Sequence, residues 1–259
     1  MLPTINIFGK TIAMYGLMIC LGIFCGIMIA LLRRKKYNIS KDDTFFSSCY
    51  AGIGLIVGAK LLYIITIIPI IIRNWSLVIS DIRILYDAIS GGFVFYGGLL
   101  GAVIGYYIYC RTYKIDFINL IDLMAPSIPI IHGIGRIGCF FAGCCYGKHY
   151  DGPFHIVFEN STAAPNGIPL FPMQILEAIL NITAGIILIV YARKIRRQGR
   201  TIGLYIIYYS IMRFLLEFLR GDVSRGIIFN ISTSQLISIL LLPIGLYIFF
   251  NTKSRKACQ

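Results

Sequence analysis

Apolar residues along this chain fall into seven runs, near residues 12–32, 45–72, 90–110, 116–138, 172–192, 201–220 and 232–251. About 20 such residues in a helix cross about 30 Å of hydrocarbon, so each run predicts one spanning helix. Lipid offers the backbone no hydrogen bonds, and runs this long and evenly apolar satisfy themselves as helices. The expected fold class is therefore an all-α membrane protein, one polytopic domain over residues 1–259. Two polar gaps are long enough to carry structure. Residues 73–89, with Trp75, Asp81, Arg83 and Asp87, predict a short helix at the bilayer interface. Residues 148–171, with Pro153, Pro165, Asn166, Gly167 and Pro169, predict a small turn-rich cap with a hairpin through 155–159.

Composition agrees with the pattern. The chain is 58% hydrophobic and 14% charged, with a mean hydropathy of +0.80, whereas soluble domains run near a quarter charged. A net charge of +13 would point to nucleic acid in a soluble protein, but here the basic residues sit between apolar runs and orient the chain instead. No nucleic-acid partner is expected. Arg33, Arg34, Lys35, Lys36 and Lys41 follow the first run, and Arg111 and Lys114 the third. Arg193, Lys194, Arg196, Arg197 and Arg200 follow the fifth, and Lys253, Arg255 and Lys256 the last. The opposite side holds only Lys10, Arg73, Arg83, Lys148 and Arg225. The positive-inside rule then predicts an outer N-terminus and a cytoplasmic C-terminus, with both polar gaps outside. Lys10 precedes the first run without a small-residue cleavage site, which predicts a retained helix.

The few ionisable residues inside the runs need reasons, since charge in hydrocarbon is costly. They are Lys60, Asp122, Arg136, Glu177, and the trio Arg213, Glu217 and Arg220, whose spacings of four and three predict one helical face. Arg136 has no acid within one helical turn. The arginines thus outnumber their acidic partners near the outer face, and a guanidinium fork there suits the phosphate of an anionic lipid headgroup. The structural reading is that Arg213 and Glu217 neutralise each other and lock the bundle. In GGFVFYGGLLG, residues 91–101, the glycines either open a cavity around Tyr96 or let helices pack closely.

The stretch HGIGRIGCFFAGCCYG, from His132 to Gly147, surrounds Arg136 with glycines, cysteines and phenylalanines. Most of the eight cysteines lie in apolar runs and predict free thiols rather than a disulfide framework. Cys139, Cys144, Cys145 and His149 lack the usual zinc-ligand spacing, and adjacent cysteines rarely hold one ion, so no metal is expected. A disulfide from Cys139 to Cys144 or Cys145 on an oxidising outer side stays open.

Several motifs in fixed order resemble the prolipoprotein diacylglyceryl transferases of bacterial inner membranes. They are MYGLM with Tyr15, GGFVFYGGLLG, DLMAP with Asp122 and Pro126, GRIG with Arg136, Gly147, FPMQILEA with Gln174 and Glu177, RFLLEFLR, and TSQLIS with Gln235. The resemblance covers nearly the whole chain. It implies a seven-span enzyme of the bacterial plasma membrane that moves the diacylglyceryl group of phosphatidylglycerol to the lipobox cysteine thiol of a prolipoprotein. Glycerol phosphate leaves, and no soluble cofactor or metal is needed. Arg136 and Arg213 would hold the phosphate, Glu217 would orient Arg213, and Tyr15, Arg220, Cys139 and Gly147 would line the headgroup site.

Three positions depart from the family pattern. Tyr96 stands where a histidine is proposed as base, Cys139 replaces an asparagine, and Cys144 replaces an acid, which marks a divergent GCFFAGCCYG branch. Tyrosine titrates near about 10 and is a poor base at neutral pH, so Tyr96 is expected to donate a hydrogen bond to the lipid. His132, four residues before Arg136, is the alternative base, against the plainer reading of a hydrogen-bonded histidine. A relative acting on another acceptor and a non-enzymatic lipid-binding protein are the competing functions. Transport would show charges across the midplane or repeated halves, and neither is seen.

Overall fold

The computed structural model describes residues 4–7, 9–159, 161, 163–194, 197–222, 227–228 and 231–251. Arg196, Arg225, Lys253, Arg255, Lys256 and Cys258 lie outside the described residues. A hairpin of β1 (Thr4–Ile7) and β2 (Lys10–Ala13) leads into α1 (Met14–Arg33). There follow α2 (Lys41–Arg73), α3 (Trp75–Ser80), α4 (Ile82–Ser90), α5 (Phe95–Tyr113), α6 (Phe117–Met124) and α7 (Ser127–Ala142). Strands β3 (Ile156–Val157) and β4 (Pro169–Leu170) pair before α8 (Met173–Tyr191) and α9 (Arg200–Leu216). A last hairpin, β5 (Ile227–Ile228) and β6 (Ile231–Ser232), precedes α10 (Thr233–Phe250).

Among the described residues, five helices are long and apolar enough to cross a membrane, and as many as seven spans result if each of two bent pairs counts as one. The faces they present suit lipid, because Phe24, Leu32, Ile56, Ile187 and Leu240 are all more than half exposed.

Three expected runs are interrupted, each for a visible reason. The run at 90–110 becomes helical only at Phe95, because Gly91 and Gly92 turn tightly beneath Tyr63, whose hydroxyl donates to Ala88 O at 2.9 Å. The run at 116–138 bends by 42° between α6 and α7 at Pro126, which has no N–H to continue the ladder. The run at 201–220 leaves the α-helix after Leu216, tightens to a 3-10 turn over Glu217–Leu219, and is extended at Arg220. Arg220 therefore does not share the face of Arg213 and Glu217. It bridges instead to Gly147.

Two compact units emerge, residues Ile39–Phe117 and the remainder of the chain. In the first, α2 and α5 pack glycine against glycine. A Cβ on Gly101 would stand 2.0 Å from Gly54 O, and one on Gly58 would stand 2.3 Å from Gly97 O. Close packing, not a cavity, is thus what GGFVFYGGLLG provides. Lys60 in the same unit lies over the Tyr63 and Phe93 rings, at 5.2 and 5.0 Å.

The larger unit runs its helices up and down, so alternate ends meet. At one end Arg33 donates to Leu123 O at 2.8 Å and Lys36 to Ala192 O at 2.6 Å, each binding a carbonyl near a helix C-terminus. There Asp122 accepts from the N–H groups of Gly199 and Ile202, at 2.8 and 2.9 Å, and so caps α9 from a neighbouring helix. The insertion after α7 is a small folded body in its own right. Its strands β3 and β4 enclose Phe158, Ala164 and Leu170, and Ser161 and Asn166 close its turn with 2.8 and 3.0 Å bonds. A hairpin is expected through 155–159, whereas Ile156–Val157 pair with the more distant Pro169–Leu170.

Candidate functional site

The opposite end of the larger unit gathers most of the charges singled out in the sequence. Helix α7 carries His132, Arg136 and Cys139 along its length, and the early turns of α8 carry Gln174 and Glu177. Arg213 comes from the last turn of α9, Glu217 from the 3-10 turn beyond it, Ser234 from the start of α10, and Tyr15 from the start of α1.

Glu177 is the hub. Its side chain is only 2% exposed, and it touches two guanidinium groups. Oε1 accepts from Arg213 Nη1 at 3.0 Å, and Oε2 lies in close charge contact with Arg136 Nε without an aligned hydrogen bond. Arg213 is fully engaged at its far end, since Nη2 reaches Ser234 Oγ at 2.9 Å and Glu217 Oε2 at 3.0 Å. Two arginines and two glutamates make this cluster neutral. The expected surplus of arginine is not found, because Glu177 arrives from another helix, out of reach of any count along a single one. Arg220 is likewise paired, to Asp222 by two bonds at 3.2 and 2.9 Å.

Arg136 differs from Arg213. Its Nε donates to His132 Nε2 at 3.2 Å and contacts Glu177, but no described residue bonds Nη1 or Nη2. The guanidinium is anchored at its root with its fork left over. Beside it, a Cβ on Gly135 would meet nothing within 4 Å, so that face of α7 is open. The other glycines of the stretch are packed. Gly133 lies against Ile182 and Ala178, and Gly138 against Met18 and Tyr15. Gly147 is packed as well, since its Cβ would fall 2.5 Å from Phe171 O.

His132 accepts the Arg136 N–H through Nε2, so that lone pair is already used and only Nδ1 stays available for a proton. Its partner is a side chain, not the backbone. Tyr15 is 44% exposed and within electrostatic reach of Arg136 and of the thiols of Cys139, Cys144 and Cys145. Tyr96 belongs to the other unit, half-buried at the start of α5, with its ring edge-on to Phe95.

The seven described cysteines are free thiols. Cys139 nevertheless lies with Cys144 and Cys145, all three sulfurs within 4.8 Å of one another. The Cys145 thiol, beyond the end of α7, is drawn well below the usual thiol range by hydrogen bonds from Cys139 and Cys144 and by the charges of Arg136 and Arg220. Gln174 Nε2 donates to Cys144 O at 2.8 Å and holds this loop on α8. Two acceptors along α8, Gln174 Oε1 and Asn181 Oδ1, are buried without a hydrogen-bond partner among the described residues. Sequence reasoning gave Glu177, Gln174 and Ser234 no role. The legible signal was Glu177 itself, a lone carboxylate in an apolar run.

Fold and site together define a polytopic helical protein with a buried arginine–glutamate cluster at one end of its bundle. A family model described as prolipoprotein diacylglyceryl transferase matches residues 3–251. A phosphatidylglycerol–prolipoprotein diacylglyceryl transferase of Clostridium tetani is 41% identical over 251 residues, covering 97% of each chain. A second enzyme of that name from Clostridium perfringens is 38% identical, covering 97% of this chain and 94% of its own. One from Rickettsia felis is 32% identical, covering 94% and 93%. The chain belongs to the prolipoprotein diacylglyceryl transferase family.

Proposed function

We propose that this chain transfers the diacylglyceryl group of phosphatidylglycerol to the lipobox cysteine of a prolipoprotein, forming a thioether and releasing glycerol phosphate. The names of its relatives support the reaction. The observation that carries the mechanism is the Arg136 guanidinium, rooted on Glu177 and His132 with its fork bonded by no described residue.

The acceptor sulfur attacks the glyceryl carbon that bears the phosphate. The C–O bond breaks, its electron pair stays on the phosphate, and a singly charged diester becomes a more highly charged monoester. A guanidinium fork on those oxygens binds the departing group more strongly than the substrate, which is the condition for acceleration. Nη1 and Nη2 of Arg136 take that role. Arg213 has its terminal nitrogens committed to Glu177, Ser234 and Glu217, so it acts as a positioning residue that holds Glu177 under Arg136. Glu217 orients Arg213 in turn. Tyr15 and Arg220 border the headgroup.

The same reading makes the two bent pairs single spans, seven in all, in a bacterial plasma membrane. The N-terminus and the small body between α7 and α8 lie outside, and the C-terminus is cytoplasmic. Purified protein in detergent, given phosphatidylglycerol and a lipobox peptide, should release glycerol phosphate in proportion to thioether formed. Absence of both products sinks the assignment.

A further inference from the structure

The thiol cluster beside Arg136 is assembled by backbone geometry rather than by sequence spacing. α7 ends at Ala142, Gly143 reverses the chain at φ 71°, and Cys145 follows in the left-handed region at φ 58°. Such a conformation is costly for a residue with a side chain, and it persists where the surrounding structure holds it. The reversal lets Cys144 N–H donate to Cys139 O at 3.1 Å and brings all three sulfurs within 4.8 Å of one another. Three thiolates on one tetrahedral zinc ion, at about 2.3 Å each, stand roughly 3.8 Å apart. The sulfurs are thus within about 1 Å of that spacing.

The surroundings fit that ion. Cys139 is 8% exposed, and Cys144 and Cys145 are half-buried. Arg136 lies close enough to act on all three sulfurs, and Arg220 on that of Cys145. They would repel a bare dication, but three thiolates with one zinc carry net negative charge, which the two guanidinium groups stabilise. Gln174 fixes the Cys144 carbonyl, and its buried, unpartnered Oε1 offers an acceptor to a ligand at the same end.

We propose that Cys139, Cys144 and Cys145 hold a single zinc ion as thiolates, with its fourth position open to the thiol of the acceptor cysteine. The zinc site stands on the cluster alone, while the fourth position rests on the transferase reading above. Three protein ligands and one exchangeable position is the pattern of reactive zinc, as opposed to closed structural zinc. The acceptor thiol displaces a water from zinc and gives its proton to solvent, leaving a zinc-bound thiolate. Its sulfur forms the C–S bond as the C–O bond to phosphate breaks with its electron pair. The resulting thioether is a poor ligand and departs, and water returns. No oxidant or reductant enters.

The test uses the full chain in detergent with a reductant, loaded with zinc, desalted and assayed for metal by elemental mass spectrometry. About one zinc per chain is expected, retained in Cys49→Ser and lost in Cys139→Ser, Cys144→Ser and Cys145→Ser. Cobalt loading of the unaltered chain should give thiolate charge-transfer and tetrahedral visible bands, a readout that does not depend on the variants folding. Folded, reduced protein that takes up neither metal overturns the site, as does a cluster that forms a disulfide and still binds no zinc once reduced. Chelation should slow thioether formation at least tenfold, with recovery on adding zinc and with bound phosphatidylglycerol unchanged. An unchanged rate after zinc removal overturns the fourth-position role. A zinc-loaded chain with no transferase activity at all overturns the reaction and that role together, while the zinc site stands.

Discussion

Arg136 and Arg213 look equivalent in the sequence, yet their partners separate them. Arg136→Lys keeps the charge and loses the fork, so kcat/KM should fall about 100-fold, the scale of one removed transition-state donor. Steady-state release of glycerol phosphate checks this, and a near-normal rate would remove Arg136 from the phosphate. Arg213→Met leaves Glu177 and Glu217 short of a partner inside the bundle, which should cost about 3–5 kcal/mol, read as a lowered thermal midpoint in detergent. Double replacement, Arg213→Met with Glu217→Gln, should recover part of that loss, because fewer charges are stranded. The titratable groups themselves were legible as lone charges in apolar runs. Their pairing was not, since Glu177 meets Arg136 and Arg213 from a third helix and no spacing along one chain segment encodes that.

Hydropathy placed all the major helices to within a few residues, because the energetic demand for apolar surface in lipid is uniform along a span. It missed the breaks at Gly91 and Gly92, at Pro126 and after Leu216, where local backbone chemistry overrides that demand. The glycines of α2 and α5 do not open a cavity; they set the distance between the two helices. Gly101→Val should therefore destabilise its unit, by about 1–3 kcal/mol or more if the backbones cannot separate, and a thermal shift in detergent would measure it. The cap on α9 is a second tie between elements. Asp122→Ala removes the acceptor for Gly199 and Ile202 and should cost about 1–2 kcal/mol, whereas Asp122→Asn should keep most of it.

Across the whole molecule, chemistry and charge occupy opposite ends of the larger unit. Arg33, Lys36 and Asp122 tie one end, and the arginine–glutamate cluster and the thiols occupy the other. On the proposed topology the first end faces the cytoplasm and the site the outer leaflet. Asp151→Cys, in the exposed body after α7, should react with a membrane-impermeant maleimide in intact cells, and Lys194→Cys should not. The reverse pattern would invert the topology.

A single carboxylate serving two cations also works as a latch. Glu177 on α8 ties α7 to α9, so any parting of those helices to admit an acyl chain would strand a charge in a greasy interior. On the proposed reaction, lipid tails would slip in along an outer seam of the bundle while the latch stays shut, and the headgroup alone would reach inward.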